Sequence, residues 1–157
     1  MSIERVKLYL KKWGRENDVM QTTASTATVP EAADALGVLP GRIAKSIALR
    51  NGKDSGGLII VAAGDTKIDN KKFKQQFGFS PRMLSSEEAY LLTGFTVGGV
   101  CPFDLPAELK IYLDESLLRF DTVFPACGSA NSMIELKNKE LFEYSMSSGW
   151  VDVCKFI

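Results

Sequence analysis

Lys45 is a charged residue in an apolar setting, within the segment Ile43-Ala44-Lys45-Ser46-Ile47 of this 157-residue chain. A lysine held at a cleft in this way can meet a phosphate group or a developing oxyanion. The alternative is a structural lysine whose apolar stem is covered while its ammonium extends into solvent. The residues around Lys45 leave both interpretations open.

A second segment, Gly98-Gly99-Val100-Cys101-Pro102, has the composition of a loop that works through its backbone. Paired glycines let a ligand approach the main chain closely, and successive N–H groups can form a nest for an anion. Pro102 then fixes the direction in which the chain leaves the loop. No Gly-Lys-Ser/Thr follows, so the segment is not a P-loop, and an ordinary tight turn is the alternative.

A third segment, residues 126–132, is a turn of small polar residues between two predicted strands. It is either a plain hairpin turn or a loop that presents Ser129 to a pocket, and its composition does not decide between the two. The chain contains no histidine. This absence excludes Ser-His-Asp and Cys-His catalysis and removes the commonest zinc ligand.

The three cysteines, Cys101, Cys127 and Cys154, are spaced 26 and 27 residues apart. This spacing fits neither a disulfide framework nor a Cys-x-x-Cys metal site. Since the sequence shows no signal peptide and no apolar run of about 18 residues, we predict reduced thiols and a cytoplasmic location. We expect Cys127 and Cys154 to be small buried apolar residues, and we expect neither a metal nor a cofactor.

The charge of the chain is balanced overall but unevenly distributed. Nineteen basic and nineteen acidic residues give a formal net charge of zero, so no global field attracts a polyanion. Residues 42–82 nevertheless hold nine basic and three acidic residues, a net of +6, which the rest of the chain compensates. This span predicts a basic face for a phosphate backbone. A solvated helix surface is the alternative for Lys71, Lys72 and Lys74.

Capping residues and the helical spacing of apolar residues predict the elements that must position these segments. Helices are predicted to begin near Ser2, Thr28, Asp69 and Ser85 and to end near Gly14, Gly37 and Gly94, with a further helix over residues 138–144 and one helical turn over residues 41–45. Strands are predicted over residues 18–23, 46–50, 58–63, 110–113, 122–127, 132–136 and 150–154. The strands 46–50 and 58–63 should form a hairpin across the turn residues 51–57.

The order of these elements predicts the fold class. Short helices lie between strands without strict βαβ alternation, and no linker, composition break or internal repeat divides the chain. The hydrophobic share of 45% and the charged share of 24% are typical of a globular protein. We therefore predict a single mixed α/β (α+β) domain over residues 1–157, with a sheet or partial barrel wrapped by small helices.

Taken together, several segments resemble the YbaK / prolyl-tRNA-synthetase-associated editing domain family. They follow the order found in that family and cover most of the chain, from residue 22 to residue 153. The matching segments are Thr28-Val29-Pro30-Glu31-Ala32-Ala33, Leu36-Gly37-Val38, Ile43-Ala44-Lys45-Ser46, Val61-Ala62-Ala63-Gly64-Asp65, residues 93–103, Asp114-Glu115-Ser116-Leu117-Leu118 and Ala126-Cys127-Gly128-Ser129-Ala130-Asn131. Each segment is short, and the specificity lies in the ordered set.

The resemblance implies a fold and an activity. The fold is a mixed, mostly antiparallel, barrel-like sheet surrounded by short helices. The activity is that of a trans-editing deacylase, which hydrolyses the ester of a mischarged tRNA with assistance from the vicinal ribose hydroxyl. The implied partner is the acceptor end of that tRNA, and a synthetase partner is left open. Neither DNA nor a membrane is expected as a partner.

The resemblance also implies site residues. Lys45 matches the functional lysine of the family, and the GxxxP loop matches Gly98, Gly99, Val100, Cys101 and Pro102, whose backbone would hold the carbonyl and the amino acid of the substrate. Gly128 and Ser129 match the turn that closes the pocket, and Thr22 is a further candidate for the pocket wall. Cys101 stands where the family often has serine, and without a histidine partner its thiol is not expected to be the nucleophile.

The cargo and two other functions stay open at the level of the sequence. Cys, Ala, Ser and Thr are all compatible cargo, on tRNA-Pro or another tRNA. One alternative function is a non-catalytic tRNA- or synthetase-binding module on the same fold. Another is a hydrolase of small aminoacyl esters that ignores tRNA. Binding to tRNA predicts affinity that falls steeply with salt, whereas a small-ester hydrolase should be indifferent to it.

Overall fold

The helices begin where the sequence places capping residues. The computed structural model describes residues 2–52 and 56–157. The side chains of Thr28, Asp69 and Ser85 each accept a hydrogen bond from a backbone N–H in the first turn, as predicted for N-caps. The helices are α1 (Ser2–Leu10), α2 (Val29–Leu36), α3 (Asn70–Phe77), α4 (Ser86–Thr93) and α5 (Asn138–Tyr144).

The strands form one large curled sheet and two small ribbons. The strands are β1 (Met20–Gln21), β2 (Ile43–Arg50), β3 (Gly57–Ala63), β4 (Thr66–Ile68), β5 (Lys110–Asp114), β6 (Thr122–Pro125), β7 (Ser132–Met133), β8 (Leu136–Lys137), β9 (Gly149–Val151) and β10 (Cys154–Phe156). Within the described residues, the order in the large sheet is β8-β6-β2-β3-β5-β9, and the ribbons are β1-β7 and β4-β10. The predicted mixed α/β fold class, a half-barrel sheet with surrounding helices, is confirmed.

The expectation of a mostly antiparallel sheet is wrong for the large sheet, where three of the five strand pairs among the described residues are parallel because strands distant in the sequence lie side by side. Among the strand pairs of the described residues, β2-β3, β6-β8, β1-β7 and β4-β10 are antiparallel. The pairs β2-β6, β3-β5 and β5-β9 are parallel. The predicted hairpin is β2-β3, whose register runs from Ala44 opposite Ala63 to Arg50 opposite Gly57. Its predicted turn includes residues 53–55, which lie outside the described residues.

Several local predictions are wrong in their bounds. The strand predicted over residues 18–23 is reduced to β1 at Met20–Gln21, because residues 16–18 form a 3-10 turn. The helical turn predicted over residues 41–45 is a 3-10 turn at Pro40–Arg42, because Ile43 and Ala44 already pair with β6. The strand predicted over residues 132–136 divides into β7 and β8, and the strand predicted over residues 150–154 divides into β9 and β10. The second division occurs where the Val153 N–H donates to the Asp114 carboxylate and so leaves the strand ladder.

Apolar residues cover both faces of the sheet. On one face, Leu49 of β2 and Ile60 of β3 pack with Phe73 of α3 in one core cluster. On the other face, Ala44 lies in a larger cluster with residues of α1 and with Phe103. All three cysteines are buried and reduced, as predicted for Cys127 and Cys154. No helix in the described part of the chain has the length and apolar character needed to cross a bilayer.

Candidate active site

A cavity of about 280 Å³ lies along the outer edge of β2. Its walls come from five separate parts of the chain, which are brought together only by the fold. The lining residues are residues 26–29 before and at the start of α2, residues 43–48 of β2, residues 83–86 with Ala89 around the start of α4, Val97, Gly98 and Val100 of the glycine-rich loop, and Ala126 with Met133.

The cavity exists because one edge of β2 is incompletely paired. The inner edge of β2 pairs with β3 from Ala44 to Arg50, whereas the outer edge pairs with β6 only at Ile43 and Ala44. Pro125 ends that ladder, since proline has no N–H to donate. The outer edge is next occupied at Ala48, whose carbonyl accepts from the Leu84 N–H.

The backbone of Ser46 faces this gap. In a strand, the N–H and C=O groups of alternate residues point to the same edge. The Ala48 carbonyl and the Arg50 N–H both bond to the segment at Arg82–Leu84, so they point to the outer edge. Ser46, two residues before Ala48, therefore presents its N–H and C=O to the cavity. Sequence reasoning did not find this residue, because an open strand edge has no local signature.

Lys45 lines the cavity, and β2 holds it by the pairing of Lys45 with Ala62 of β3. Its side chain is half-buried, and its ammonium donates to the backbone carbonyl of Thr66. Burial lowers the pKa of Lys45, while Cys154 and the Asp65 carboxylate act in the opposite direction. The cation is thus anchored on a rigid element and partly removed from water.

An ion pair beside Lys45 keeps a carboxylate ionised. The Arg119 guanidinium donates to both carboxylate oxygens of Asp65, at 3.0 and 2.6 Å. Its hydrogen bonds hold the pKa of Asp65 below the usual value. A negative charge therefore stays close to the Lys45 ammonium. Sequence reasoning missed Arg119, because no residue near it in the chain indicates that it pairs with Asp65, in the turn between β3 and β4.

The glycine-rich loop forms another part of the cavity wall. The Gly99 N–H donates to the Thr96 carbonyl at 3.0 Å, and Gly98 has a φ of +85°, which together are typical of a type II turn. Gly98 and Val100 line the cavity. Within residues 2–52 and 56–157, the backbone N–H groups of Gly98 and Val100 donate to no protein acceptor. Two backbone donors in the cavity wall are therefore available to a ligand.

Close backbone contacts fix the position of this loop. A Cβ atom on Gly99 would lie 2.8 Å from the carbonyl carbon and oxygen of Gly128 and 2.9 Å from the Ser129 nitrogen. A Cβ atom on Gly98 would lie 2.8 Å from the Cβ of Ala27. The glycine-rich loop therefore rests directly on the turn at residues 126–132 and on the segment before α2. Three segments distant in the sequence form one unit.

Residues 23–144 match the family of the aminoacyl-tRNA editing domain, which is most of the chain. The chain belongs to the aminoacyl-tRNA editing domain family. It is 55% identical over 155 residues to the uncharacterised protein YwhH of Bacillus subtilis, a match that covers 99% of this chain and 98% of that protein. It is 28% identical over 105 residues to EbsC of Enterococcus faecalis, named as a proposed Cys-tRNA(Pro)/Cys-tRNA(Cys) deacylase, covering 66% of this chain and 63% of that protein.

Two solved structures have the same fold as this chain over nearly its full length. A protein described as a proposed trans-editing enzyme for prolyl-tRNA synthetase superimposes with a TM-score of 0.86 at 32% identity, covering 98% of this chain and 97% of the other. The hypothetical protein APE2540 superimposes with a TM-score of 0.79 at 27% identity, covering 94% and 99%. The match extends over nearly the full length in both cases, so the cavity lies within the shared editing-domain fold.

The predicted residues Cys101 and Pro102 of the editing domain are buried behind the cavity. Cys101 is completely buried in the large core cluster and does not line the cavity. Burial raises the pKa of its thiol to about 12. A thiol in this state is a poor nucleophile, because the thiolate is the reactive form. The loop residues that line the cavity are Val97, Gly98 and Val100, whereas the predicted Gly99 is buried and does not line it.

Thr22, Gly128 and Ser129 support the cavity wall and do not line it. The Thr22 N–H donates to the Asn131 carbonyl, and the Asn131 side-chain amide donates to the Thr22 carbonyl. The Ser129 hydroxyl donates to the Asn131 side-chain oxygen at 2.9 Å. Their roles in substrate binding stay predictions. The segment after Thr22 contributes Thr26 to the wall, a residue that sequence reasoning missed.

Proposed function

We propose that this chain is a single editing domain that acts in trans as an aminoacyl-tRNA deacylase. Its substrate is the ester that joins a mischarged small amino acid to the terminal ribose of a tRNA. The observation that carries the proposal is the cavity of an editing-domain fold whose wall contains both Lys45 and the unpaired N–H groups of Gly98 and Val100. These groups suit a substrate that is anionic at one end and develops an oxyanion at the other.

The reaction needs little from ionisable side chains. A water oxygen bonds to the ester carbonyl carbon, the bond to the ribose oxygen breaks, and that oxygen takes a proton. Because an aminoacyl ester is already activated, positioning and oxyanion stabilisation supply most of what the chemistry requires. Each well-placed N–H donor contributes about 3–4 kcal/mol to such stabilisation. The vicinal ribose hydroxyl of the substrate orients the attacking water.

Lys45 acts in this proposal as a fixed cation. Its ammonium binds a phosphate or ribose oxygen of the terminal adenosine and so places the ester against the loop. Its half-buried position strengthens that interaction, because a less polar environment screens charge less than water does. Without substrate, the Lys45 ammonium donates to the Thr66 carbonyl. In the complex, an anionic oxygen of the substrate replaces this carbonyl as the acceptor.

The size of the cavity supports a small cargo. A volume of about 280 Å³ is at the lower limit of ordinary ligand pockets, which start at about 300 Å³. Since one methylene changes binding by only about 1–3 kcal/mol, the cavity sorts amino acids by size but not sharply. The names of EbsC and of the trans-editing relative give Cys-tRNA and tRNA-Pro priority among the substrates to test.

The test is release of radiolabelled amino acid from a panel of Cys-, Ala-, Ser- and Thr-charged tRNAs, with correctly charged Pro-tRNA as the negative substrate. Wild type is compared with Lys45→Ala and with Lys139→Ala, a matched change at an exposed lysine on α5. Fast release that only Lys45→Ala abolishes supports the deacylase and names its cargo. A folded protein that binds tRNA but releases nothing is instead the predicted binding module. Repeating the panel with prolyl-tRNA synthetase present tests the predicted synthetase partner.

A further inference from the structure

Two lysines face each other directly in the β4-β10 ribbon. Lys67 and Lys155 are register partners in this antiparallel pair, and both are exposed. Side chains at directly opposed positions project from the same face with Cβ atoms about 5 Å apart, and like charges there destabilise the ribbon. Neither lysine forms an ion pair with any described residue. The repulsion is relieved when an anion binds between the two ammonium groups.

Helix α3, which contacts the ribbon, carries two further exposed lysines. Lys71 and Lys74 of α3 are exposed. Lys72 anchors α3 to the ribbon, because its ammonium donates to the Cys154 carbonyl at 2.9 Å. We call Lys67, Lys155, Lys71 and Lys74 the basic ridge.

The carboxylates around the basic ridge already have partners. Asp69 caps α3 and accepts from the Lys72 N–H. The Asp152 carboxylate pairs with the Lys72 ammonium at 3.0 Å. The third nearby carboxylate, Asp65, is held by Arg119. The Asp69 carboxylate keeps its charge, since the hydrogen bond from the Lys72 N–H lowers its pKa and Lys155 contributes to that lowering. The four lysines of the ridge therefore outnumber the one nearby carboxylate that has no ion-pair partner among the described residues.

One peptide joins the ridge to a residue of the cavity wall. The Lys45 ammonium donates to the Thr66 carbonyl, and that carbonyl belongs to the peptide that joins Thr66 to Lys67. A polymer whose terminal unit binds beside Lys45 can therefore also reach Lys67 and its register partner Lys155. Because the protein as a whole has no net charge, attraction of a polyanion has to come from such a local concentration of lysines.

We propose that the basic ridge binds the sugar-phosphate backbone of the tRNA acceptor end, with a phosphate held between Lys67 and Lys155. The proposal rests on the deacylase function and adds the surface that carries the body of the substrate. The repulsion between Lys67 and Lys155 then lowers the stability of the free protein, and binding of the tRNA phosphate removes that repulsion. Recognition here is of phosphate, and so it is independent of base sequence.

The test compares two substrates that share one ester. One is the mischarged tRNA, and the other is the same amino acid esterified to adenosine, which fills the cavity but does not reach the ridge. For Lys67→Gln/Lys155→Gln we expect kcat/KM on the tRNA to fall at least about tenfold at 0.1 M salt, because each lost phosphate contact removes a counterion-release contribution of roughly that size. The slope of log kcat/KM against log salt should become shallower by about 1–2. Hydrolysis of the aminoacyl-adenosine should not change.

Two further variants separate binding from folding. Lys11→Gln/Lys139→Gln removes the same charge from exposed lysines of other elements and should behave as wild type on both substrates. Lys155→Glu places opposite charges across the ribbon, so its Tm should not fall while its activity on tRNA does. The proposal is contradicted if Lys67→Gln/Lys155→Gln lowers kcat/KM equally on the tRNA and on the aminoacyl-adenosine. It is also contradicted if this variant and the control variant have the same kcat/KM on the tRNA.

A failure of the deacylase function gives a different result. In that case wild type hydrolyses neither substrate, and the ridge is tested by fluorescence anisotropy with uncharged tRNA. Weaker binding and a shallower salt slope for Lys67→Gln/Lys155→Gln support the ridge even then. Unchanged affinity and slope contradict it.

Discussion

Two parts of the cavity wall are built in different ways. In β2, Lys45 contributes a side chain whose place is set by the β2-β3 ladder and whose pKa is lowered by burial and raised by Asp65. In the glycine-rich loop, Gly98 and Val100 contribute backbone N–H groups whose place is set by a tight turn and by contact with Gly128. The first part depends on residue identity, and the second depends on backbone conformation.

This difference explains which substitutions Lys45 and the glycine-rich loop each tolerate. A cation cannot be replaced at Lys45, because no other described residue brings an ammonium or guanidinium into the cavity wall. Backbone donors, in contrast, are the same for every residue except proline. The following four changes test this contrast, in order of expected effect.

Lys45→Ala should reduce deacylation about 100- to 1000-fold, because it removes the fixed cation that places the ester. Far-UV circular dichroism and Tm should stay close to wild type, since the β2 backbone and its pairing are unaffected. The measurement is single-turnover hydrolysis of the tRNA that the panel identifies. A folded Lys45→Ala that hydrolyses this tRNA at the wild-type rate would remove the lysine from the proposed mechanism.

Gly99→Ala should reduce activity about 10- to 100-fold, since its Cβ at 2.8 Å from the Gly128 carbonyl forces the loop away from its position. The overpacking should also lower the free energy of unfolding by about 1–3 kcal/mol. Gly56→Ala is the matched control, because a Cβ atom there meets nothing within 4 Å. If both variants hydrolyse tRNA equally well, the contact between the two turns has no role in catalysis.

Asp65→Asn should change the pH dependence more than the rate at neutral pH, which should stay within about fivefold of wild type. Burial lowers the pKa of Lys45 and the Asp65 carboxylate opposes that shift, so removing the carboxylate lowers this pKa further. Activity that needs the Lys45 cation is lost as pH rises through its folded-state pKa, and this loss should therefore occur at lower pH in the variant. The check is an NMR titration of lysine Cε signals together with the pH-rate profile. The exposed Asp121→Asn should leave both curves in place.

Cys101→Ala should leave the rate within about twofold of wild type, because a buried thiol with a pKa near 12 takes no part in the chemistry. The substitution should lower the free energy of unfolding by about 1 kcal/mol, because it leaves a small cavity in the core. Alanine is a cleaner test than serine, which would also bury a hydroxyl group. Complete loss of activity with a folded protein would instead point to covalent catalysis by the thiol.

The sequence predicted the local elements well because their signals are local. The caps at Thr28, Asp69 and Ser85 and the left-handed glycines that end the helices depend on residues within one turn of each other. The β2-β3 hairpin follows from two apolar runs around a turn. The predictions with wrong bounds, among them residues 18–23, 41–45, 132–136 and 150–154, concern places where a partner strand decides where a strand begins or ends.

By itself, the sequence therefore determined the helices, the hairpin, the fold class and the short segments that show the editing-domain family. Only the tertiary structure decided that Lys45, Ser46 and Gly98 share one cavity. That cavity is a gap in the pairing of β2, bounded by Pro125 on one side and by Leu84 on the other. The same is true of the Lys67–Lys155 pair, whose members come from opposite halves of the chain. Propensity acts over a few neighbouring residues, whereas strand register is set by contacts between segments that the sequence keeps far apart.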